Sequence, residues 1–212
     1  MDTALAGAQE TYEFTNSWFD VARGVWSALI PQIKPKRILE IGSYEGASAC
    51  FLIDLLGQTQ PLDLHCIDTW DGGIEHKNWQ IDMMAVENRF RRNIQKAVAR
   101  AAHPVAVRTL KGSSHLELAK LIAEANSYDF IYIDGSHQAA DVLTDAVMAF
   151  RLLQTGGVMA FDDYLWAEAL PTGVDPLRCP KPAIDAFTNI FCRKVRILSA
   201  PLYQLYVQKI AD

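Results

Sequence analysis

The stretch Ile38-Leu39-Glu40-Ile41-Gly42-Ser43-Tyr44-Glu45-Gly46-Ala47-Ser48 decides how the chain is read. Apart from Glu40, residues 38–41 are aliphatic and predict a strand buried on both faces. Gly42 and Gly46 bracket three residues before an apolar helix begins, which predicts a tight strand-to-helix turn. In a parallel sheet flanked by helices, the first such turn is where ligands collect. The spacing is GxxxG and not the GxGxxG of dinucleotide-binding turns, which argues against an NAD-dependent oxidoreductase. Taken alone, the two glycines fit an unliganded turn equally well. Glu40 shifts that balance, because a carboxylate ending an apolar strand is costly to bury without a donor or a cation.

Working outward, the same alternation repeats. Strand-like runs cover residues 37–41, 62–67, 105–110, 128–133 and 157–161. Between them lie helical periods: Phe51, Leu52 and Leu55; Met83, Val86, Phe90, Ile94 and Val98; and Leu143, Ala146, Val147 and Phe150, the last ended by Gly156-Gly157. Trp18, Val21, Val25 and Leu29 predict a further amphipathic helix near the start, capped by Thr15 or Asn16. Repeated βα units of this kind predict an α/β, Rossmann-like, doubly wound sheet. At the other end, residues 195–199 and 202–208 are separated only by Ala200-Pro201. That gap is too short for a crossover helix, so an antiparallel hairpin is expected, supplying the only antiparallel strand of seven. The apolar hairpin is also a candidate homodimer surface. No linker or repeat divides the chain, so the expectation is one domain over 1–212, with 1–35 as a helical cap on a core of 36–212.

Composition narrows the function. The chain has 212 residues, half of them hydrophobic, and a net charge of −5, which gives no basic surface for nucleic acid or anionic membrane. No apolar run approaches a membrane span, and residues 1–4 lack the basic and apolar regions of a signal peptide. Cys50, Cys66, Cys179 and Cys192 are scattered without a CxxC pair; reduced thiols in a cytoplasmic protein are the expectation, with a disulfide or zinc site between distant partners as the alternative.

Five segments in series carry a family likeness: ILEIGSYEGAS; His65-Cys66-Ile67-Asp68-Thr69-Trp70; Lys111-Gly112-Ser113-Ser114-His115; residues 128–137, YDFIYIDGSH; and residues 156–164, GGVMAFDDY. In order and spacing, over roughly residues 12–208, the chain resembles class I S-adenosylmethionine-dependent methyltransferases. It is most similar to the small cation-dependent O-methyltransferases. Catechol-type members carry a lysine shortly after the fourth-strand aspartate, where this chain has Ser136-His137-Gln138. DGSH is closer to the macrolide-sugar and cephalosporin-pathway relatives.

The resemblance implies a cofactor site made of Glu40, Gly42, Ser43, Tyr44, Gly46, Ser48, Asp68, Thr69, Trp70, Ser113, Ser114, His115 and Asp134. Within it, Gly42, Ser43, Tyr44 and Gly46 wrap the methionine part of S-adenosylmethionine and Glu40 stands near its ammonium. Asp68 accepts from the ribose hydroxyls, as an ionised carboxylate accepts from both at once. Its alternative reading is a loop or cap acid. Ser113 and Ser114 read the adenine edge or merely cap the next helix, and Trp70 stacks on adenine or belongs to the core. Asp134, Asp162 and Asp163 fall at adjacent strand ends and are the implied ligands of Mg²⁺ or a similar hard cation. The alternative is that Asp162 or Asp163 only caps backbone amides.

His137, three residues past Asp134, is the candidate base, its alternative being a hydrogen-bonded spectator in the loop. With Asp134 it makes up the implied catalytic pair. His76 and His115 are weaker rivals, and His65, inside a strand, is structural. Residues 71–92 form either a lid or an ordinary amphipathic helix. Tyr164, Trp166 and loop 171–182 are candidate liners of a pocket for a small-molecule acceptor. The expected activity is methyl transfer to a hydroxyl oxygen. The rival is a non-methylating protein that binds the cofactor as a regulator or partner subunit, although such a binder needs no cluster of acids and histidine.

Overall fold

The structure, a computed structural model, describes residues 11–168 and 170–212. Residues 1–4, read above for a leader, and the first part of the expected 1–35 cap lie outside the described residues. Seven strands form one sheet in the order β3-β2-β1-β4-β5-β7-β6. Here β1 is Arg37–Ile41, β2 Leu62–Asp68, β3 Val105–Lys111, β4 Tyr128–Ile133, β5 Leu153–Phe161, β6 Val195–Leu198 and β7 Leu205–Lys209. The first five pair in parallel, whereas β7 runs antiparallel to both β5 and β6. Among the described strands β7 alone is reversed, as the hairpin reading requires.

The helices are α1 (Asp20–Ile33), α2 (Ala47–Leu56), α3 (Ile74–Asn78), α4 (Met83–Arg100), α5 (Ser114–Ala123), α6 (Ala139–Leu152) and α7 (Lys181–Ile190). Strand residues alternate between two cores. Ile38, Phe130, Tyr132, Val158 and Ala160 pack with side chains of α1, α2 and α4. Leu39, Ile41, Ile131, Ile133, Met159 and Phe161 pack with those of α5, α6 and α7. Burial on both faces explains why β1 and β4 are continuous apolar runs with no polar alternation.

Four expectations are corrected. α1 buries Ala22, Trp26 and Ile30, while Trp18 and Val21 of the expected stripe are 49% and 59% exposed. The winning stripe is selected from outside the helix. Trp26 Nε1 donates to Gln204 Oε1 (2.9 Å) and Tyr206 Oη (3.0 Å), and its ring meets Phe130 and Tyr132 edge-on. Neither Thr15 nor Asn16 caps α1, which follows Phe19 without a side-chain cap. Thr15 instead gives its amide and hydroxyl to Glu45 (2.7 and 2.8 Å). Gly156-Gly157 does not end a helix but lies within β5, since α6 stops at Leu152 and the strand begins at once. The β6–β7 connection spans residues 199–204, longer than Ala200-Pro201, and this length carries two side chains into the candidate site.

The strand order reverses between β1 and β4, and there the crevice of a doubly wound sheet opens. Hydrogen bonds continue the ladder past the strand ends: Gly42 N to Ile67 O (2.8 Å), Asp134 N to Ile41 O (2.8 Å) and Asp162 N to Ile133 O (3.0 Å). Gly42 has φ +86°, and a Cβ there would overlap the Asp134 carbonyl. Gly42→Ala should therefore cost more than the ~1–2 kcal/mol of left-handed strain alone. Gly24, in α1 with nothing within 4 Å of a built Cβ, should gain ~0.5–1 kcal/mol on substitution by Ala. Urea melts of the two variants should move in opposite directions; a stable Gly42→Ala would show that the two turns are not in rigid contact.

Candidate active site

The first turn is organised by two carboxylates. Glu40 is fully buried on the α2 side of β1 and accepts from Ser43 Oγ and Ser48 Oγ, both at 2.5 Å. The donors missing from the strand come from the turn and from the first turn of α2. Burial nevertheless pushes the Glu40 carboxyl up to about 7, against the opposing hydrogen bonds of the two serines. Asp68, at the end of β2, accepts from the Ser43 and Tyr44 amides through Oδ2 (2.9 and 2.8 Å) and from the Trp70 amide through Oδ1 (2.7 Å). It braces the turn, and a carboxylate with about four acceptor positions retains capacity for a further donor.

Gly46, at φ +81°, precedes α2, and its hydrogen side faces the Phe90 ring. The missing side chains of Gly42 and Gly46 thus make room first for the protein itself. Trp70 is only 3% exposed and packs on Phe90, with Nε1 donating to Tyr44 O (2.9 Å), so its ring is core. Tyr44 lies against His76, stacked at 5.3 Å, and near Trp18 at 5.1 Å. Thr69 Oγ1 accepts from the Asp71 amide (3.1 Å). Of residues 71–92, the part within α4 buries Val86 and Phe90 and is an ordinary amphipathic helix, with Asp82 as its cap (3.0 Å to the Ala85 amide).

At the end of β3, Ser113 occupies the cap position of α5 without a side-chain bond to the helix. Burial pushes the Asp145 carboxyl of α6 up to about 6, and Ser114 acts on it in the opposite direction. His115 opens α5 beside it. His65 is structural as expected, with Nδ1 2.6 Å from Tyr128 Oη.

The second acidic group gathers at the ends of β4 and β5. Asp134, Asp162, Asp163 and His137 line one cavity of about 10 Å³, roughly the room of a single water, with Pro180 from loop 171–182 on its wall. Asp134 is pushed well above the ordinary carboxylate range by burial, then by Asp162 and Asp163. Asp162 is raised to about 6 by burial and by Asp163. Asp163 adopts φ +55° and places Oδ2 2.8 Å from His137 Nε2, while Trp166 stacks on the imidazole at 3.9 Å. Tyr164 turns the other way, donating to Asp185 (2.7 Å).

The sequence reading missed Tyr132, Tyr203 and Gln204. Tyr132 Oη lies against Asp162 Oδ2 and 3.1 Å from Asp134 Oδ2. Gln204 Nε2 donates to Asp162 Oδ2 (3.0 Å), and Tyr203 Oη donates to Asp163 Oδ1 (3.2 Å). Strand alternation could have found Tyr132, two residues before Asp134. Nothing local marks the hairpin loop. The three aspartates are close enough to repel, yet among the described residues no group of three or more His, Cys, Asp or Glu side chains is arranged to hold a metal.

Glu40 gives this site a measurable pH signature. A carboxyl with an ordinary value of 4.5 that titrates at about 7 when folded binds its proton more tightly in the native state. Its contribution therefore favours folding most below pH 4.5 and is lost as pH rises towards 7, by roughly 3 kcal/mol. Glu40→Gln keeps a neutral acceptor for the serines, so relative to wild type it should grow more stable between pH 5 and pH 8. A stability difference that does not change across that window would mean the buried carboxyl is compensated in another way.

A family profile for a methyltransferase domain matches residues 39–164. No curated protein sequence matches the chain. Solved structures do resemble it. The O-methyltransferase from Bacillus cereus in complex with SAH is 20% identical, with a TM-score of 0.61 over 95% of this chain and 84% of that one. TomG, the O-methyltransferase from Streptomyces achromogenes involved in tomaymycin synthesis, in complex with SAM, is 16% identical, with a TM-score of 0.63 over 90% and 80%. The SAH-bound methyltransferase PaMTH1 from Podospora anserina is 20% identical, with a TM-score of 0.59 over 90% and 79%. At these identities the likeness establishes the fold. The profile match is stronger evidence, because it runs from the middle of β1 to just past β5 and spans each parallel strand end that builds the site, and it places this chain in the methyltransferase-domain family.

Proposed function

We propose that the protein transfers a methyl group from S-adenosylmethionine to a hydroxyl oxygen of a small metabolite. The observation that carries this reading is contact between the two halves of the site. The Gly42 turn and the Asp134 backbone are so close that no side chain fits between them, so a donor on the turn adjoins the acids and His137. Solved structures with SAM or SAH bound support the choice of cofactor. In this reading Gly42, Ser43, Tyr44 and Gly46 surround its methionine part, with Glu40 and Ser48 beneath, and Asp68 takes the ribose hydroxyls with its remaining acceptor positions. Thr69, Ser113, Ser114 and His115 border the adenine, and Trp70 supports the turn from below.

In the transfer the acceptor oxygen forms a bond to the methyl carbon, the sulfonium–carbon bond breaks, and the acceptor proton must leave. His137 takes that proton, and Asp163, 2.8 Å from Nε2, stabilises the resulting imidazolium. Asp134 and Asp162, held by Tyr132 and Gln204, bind a proton more tightly than ordinary carboxyls, which gives this side a place for a proton or a cation. The donor chemistry of Asp134, Asp162 and Asp163 fits a hard divalent cation such as Mg²⁺, since burial and then neighbouring carboxylates raise both Asp134 and Asp162. Bound there, the cation would supply positive charge to a developing alkoxide. We further propose a single domain with α1 as its cap, reduced thiols and a cytoplasmic setting. No described helix is long and apolar enough to cross a membrane, and the four cysteines are free.

The test is transfer of labelled methyl from S-adenosylmethionine into a fractionated metabolite extract, with and without EDTA, alongside titration with S-adenosylhomocysteine. Asp68→Ala should weaken S-adenosylhomocysteine at least about tenfold, one charge-assisted bond being worth ~1.5–3 kcal/mol. His137→Ala should bind it normally and lower turnover by ~10²–10⁴-fold, with the deficit shrinking at high pH. Asp163→Ala should lower turnover and remove any dependence on added cation. Tight S-adenosylhomocysteine binding with no transfer into any fraction would favour the non-methylating reading, and turnover unchanged by EDTA would remove the cation.

A further inference from the structure

A second cavity, of about 290 Å³, lies at the opposite edge of the sheet from the acids. The edge follows from the pairing. β7 is antiparallel to β5, with Phe161 opposite Leu205, so the far end of β7, at Lys209, lies beside the beginning of β5. Val147, Phe150 and Phe191 supply an apolar wall, the two Phe rings tilted at 4.6 Å. Arg151, Lys194 and Lys209 supply three cations beside the side-chain carboxylate of Asp212. In a chain of net charge −5 this is a local reversal of sign.

We propose that this cavity is a binding site for a small aromatic carboxylate, one ring bearing one anionic group. Lys209 is the fixed element. It is 4% exposed, and its ammonium donates to Phe150 O (3.2 Å) and Leu153 O (2.8 Å) at the end of α6. The third direction is taken by a carboxylate oxygen, Asp212 Oδ1 at 2.7 Å. Two carbonyls thus orient the amine so that its remaining proton points at a carboxylate. The Asp212 side chain that fills this role is 86% exposed and gains nothing from the apolar wall, so an incoming carboxylate displaces it at small cost.

Arg151 and Lys194 are exposed; Lys194 acts with Lys209 to hold the Asp212 carboxyl down, and an entering carboxylate would meet the same cations. The ring would lie against Phe150, Phe191 and Val147. The volume lies at the lower end for small-molecule sites, which suits a ligand of one ring. None of these residues belongs to the candidate active site, so the proposal stands apart from the methyl-transfer reading.

The experiment is calorimetric titration of the whole protein with benzoate, with acetate, inorganic phosphate and benzyl alcohol run in parallel. We expect one benzoate per chain, with Kd in the millimolar range or below and weakening with added salt. The exposed pair Arg151→Gln/Lys194→Gln should weaken it at least tenfold, as should Phe191→Ala, while His137→Ala should leave it unchanged. Absence of saturable binding overturns the site. So does binding indifferent to Arg151→Gln/Lys194→Gln, or binding lost in His137→Ala, which would place benzoate at the acids instead. Acetate or phosphate binding as tightly as benzoate would overturn the aromatic assignment, and benzyl alcohol doing so would overturn the anionic one.

Discussion

The site depends on one close approach, the turn after β1 against the backbone after β4. Gly42 has no side chain because the Asp134 carbonyl occupies that space, and the Asp134 amide is tied to Ile41 O. These are neighbouring strands at the point where the strand order reverses, so the crevice that opens there has a rigid floor. A glycine at this place is usually explained by the ligand. Here the protein's own packing already demands it, and any ligand inherits a turn held in shape. The bracing continues sideways, since Asp68 of β2 holds the Ser43 and Tyr44 amides.

Buried carboxylates are handled differently on the two sides of this contact. Glu40 receives two hydroxyl donors and no cation, and its proton affinity rises. Glu45, equally buried, has a cation: Arg89 Nε lies 2.5 Å from Oε1, and Thr15 adds two further donors. Asp134 and Asp162 have Tyr132 and Gln204 but also each other. An isolated buried carboxylate is compensated or neutralised, whereas two sharing a wall leave an unsatisfied field. That crowding distinguishes the strand-end acids from the merely structural ones, and under the proposed function it is where proton transfer or a cation has physical purpose.

How much of this was legible follows from where each constraint resides. β1 and β4 were readable to the residue because both their faces are buried, and that burial leaves a continuous apolar run. The core stripe of α1 was read one residue off, with Val25 and Leu29 still packed against the core, because Trp18-Val21-Val25-Leu29 and Phe19-Ala22-Trp26-Ile30 are two apolar stripes displaced by a single residue. Periodicity cannot choose between them, and the choice is made by Gln204 and Tyr206, nearly the whole chain away. Glu40, Asp68, Asp134, Asp162 and Asp163 were legible as strand-end acids. Their division into turn braces and members of the acceptor cluster was not, because it depends on donors contributed by other elements. Trp70 was ambiguous for the same reason, and Phe90 of α4 resolves it as core.

The same long-range donors connect the cap to the chemistry. Trp26 of α1 donates to Gln204 Oε1, Tyr206 Oη also contacts that oxygen, and the other end of the Gln204 amide donates to Asp162. An amide has one oxygen and one nitrogen, so fixing the oxygen end by two donors fixes which end faces the acid. Turning the amide over would put its oxygen against a carboxylate and its nitrogen against two donors. Through this one side chain the packing of α1 determines what Asp162 meets. The stripe of α1 centred on Trp26 is therefore more than a packing surface, because its indole fixes the Gln204 amide that meets Asp162.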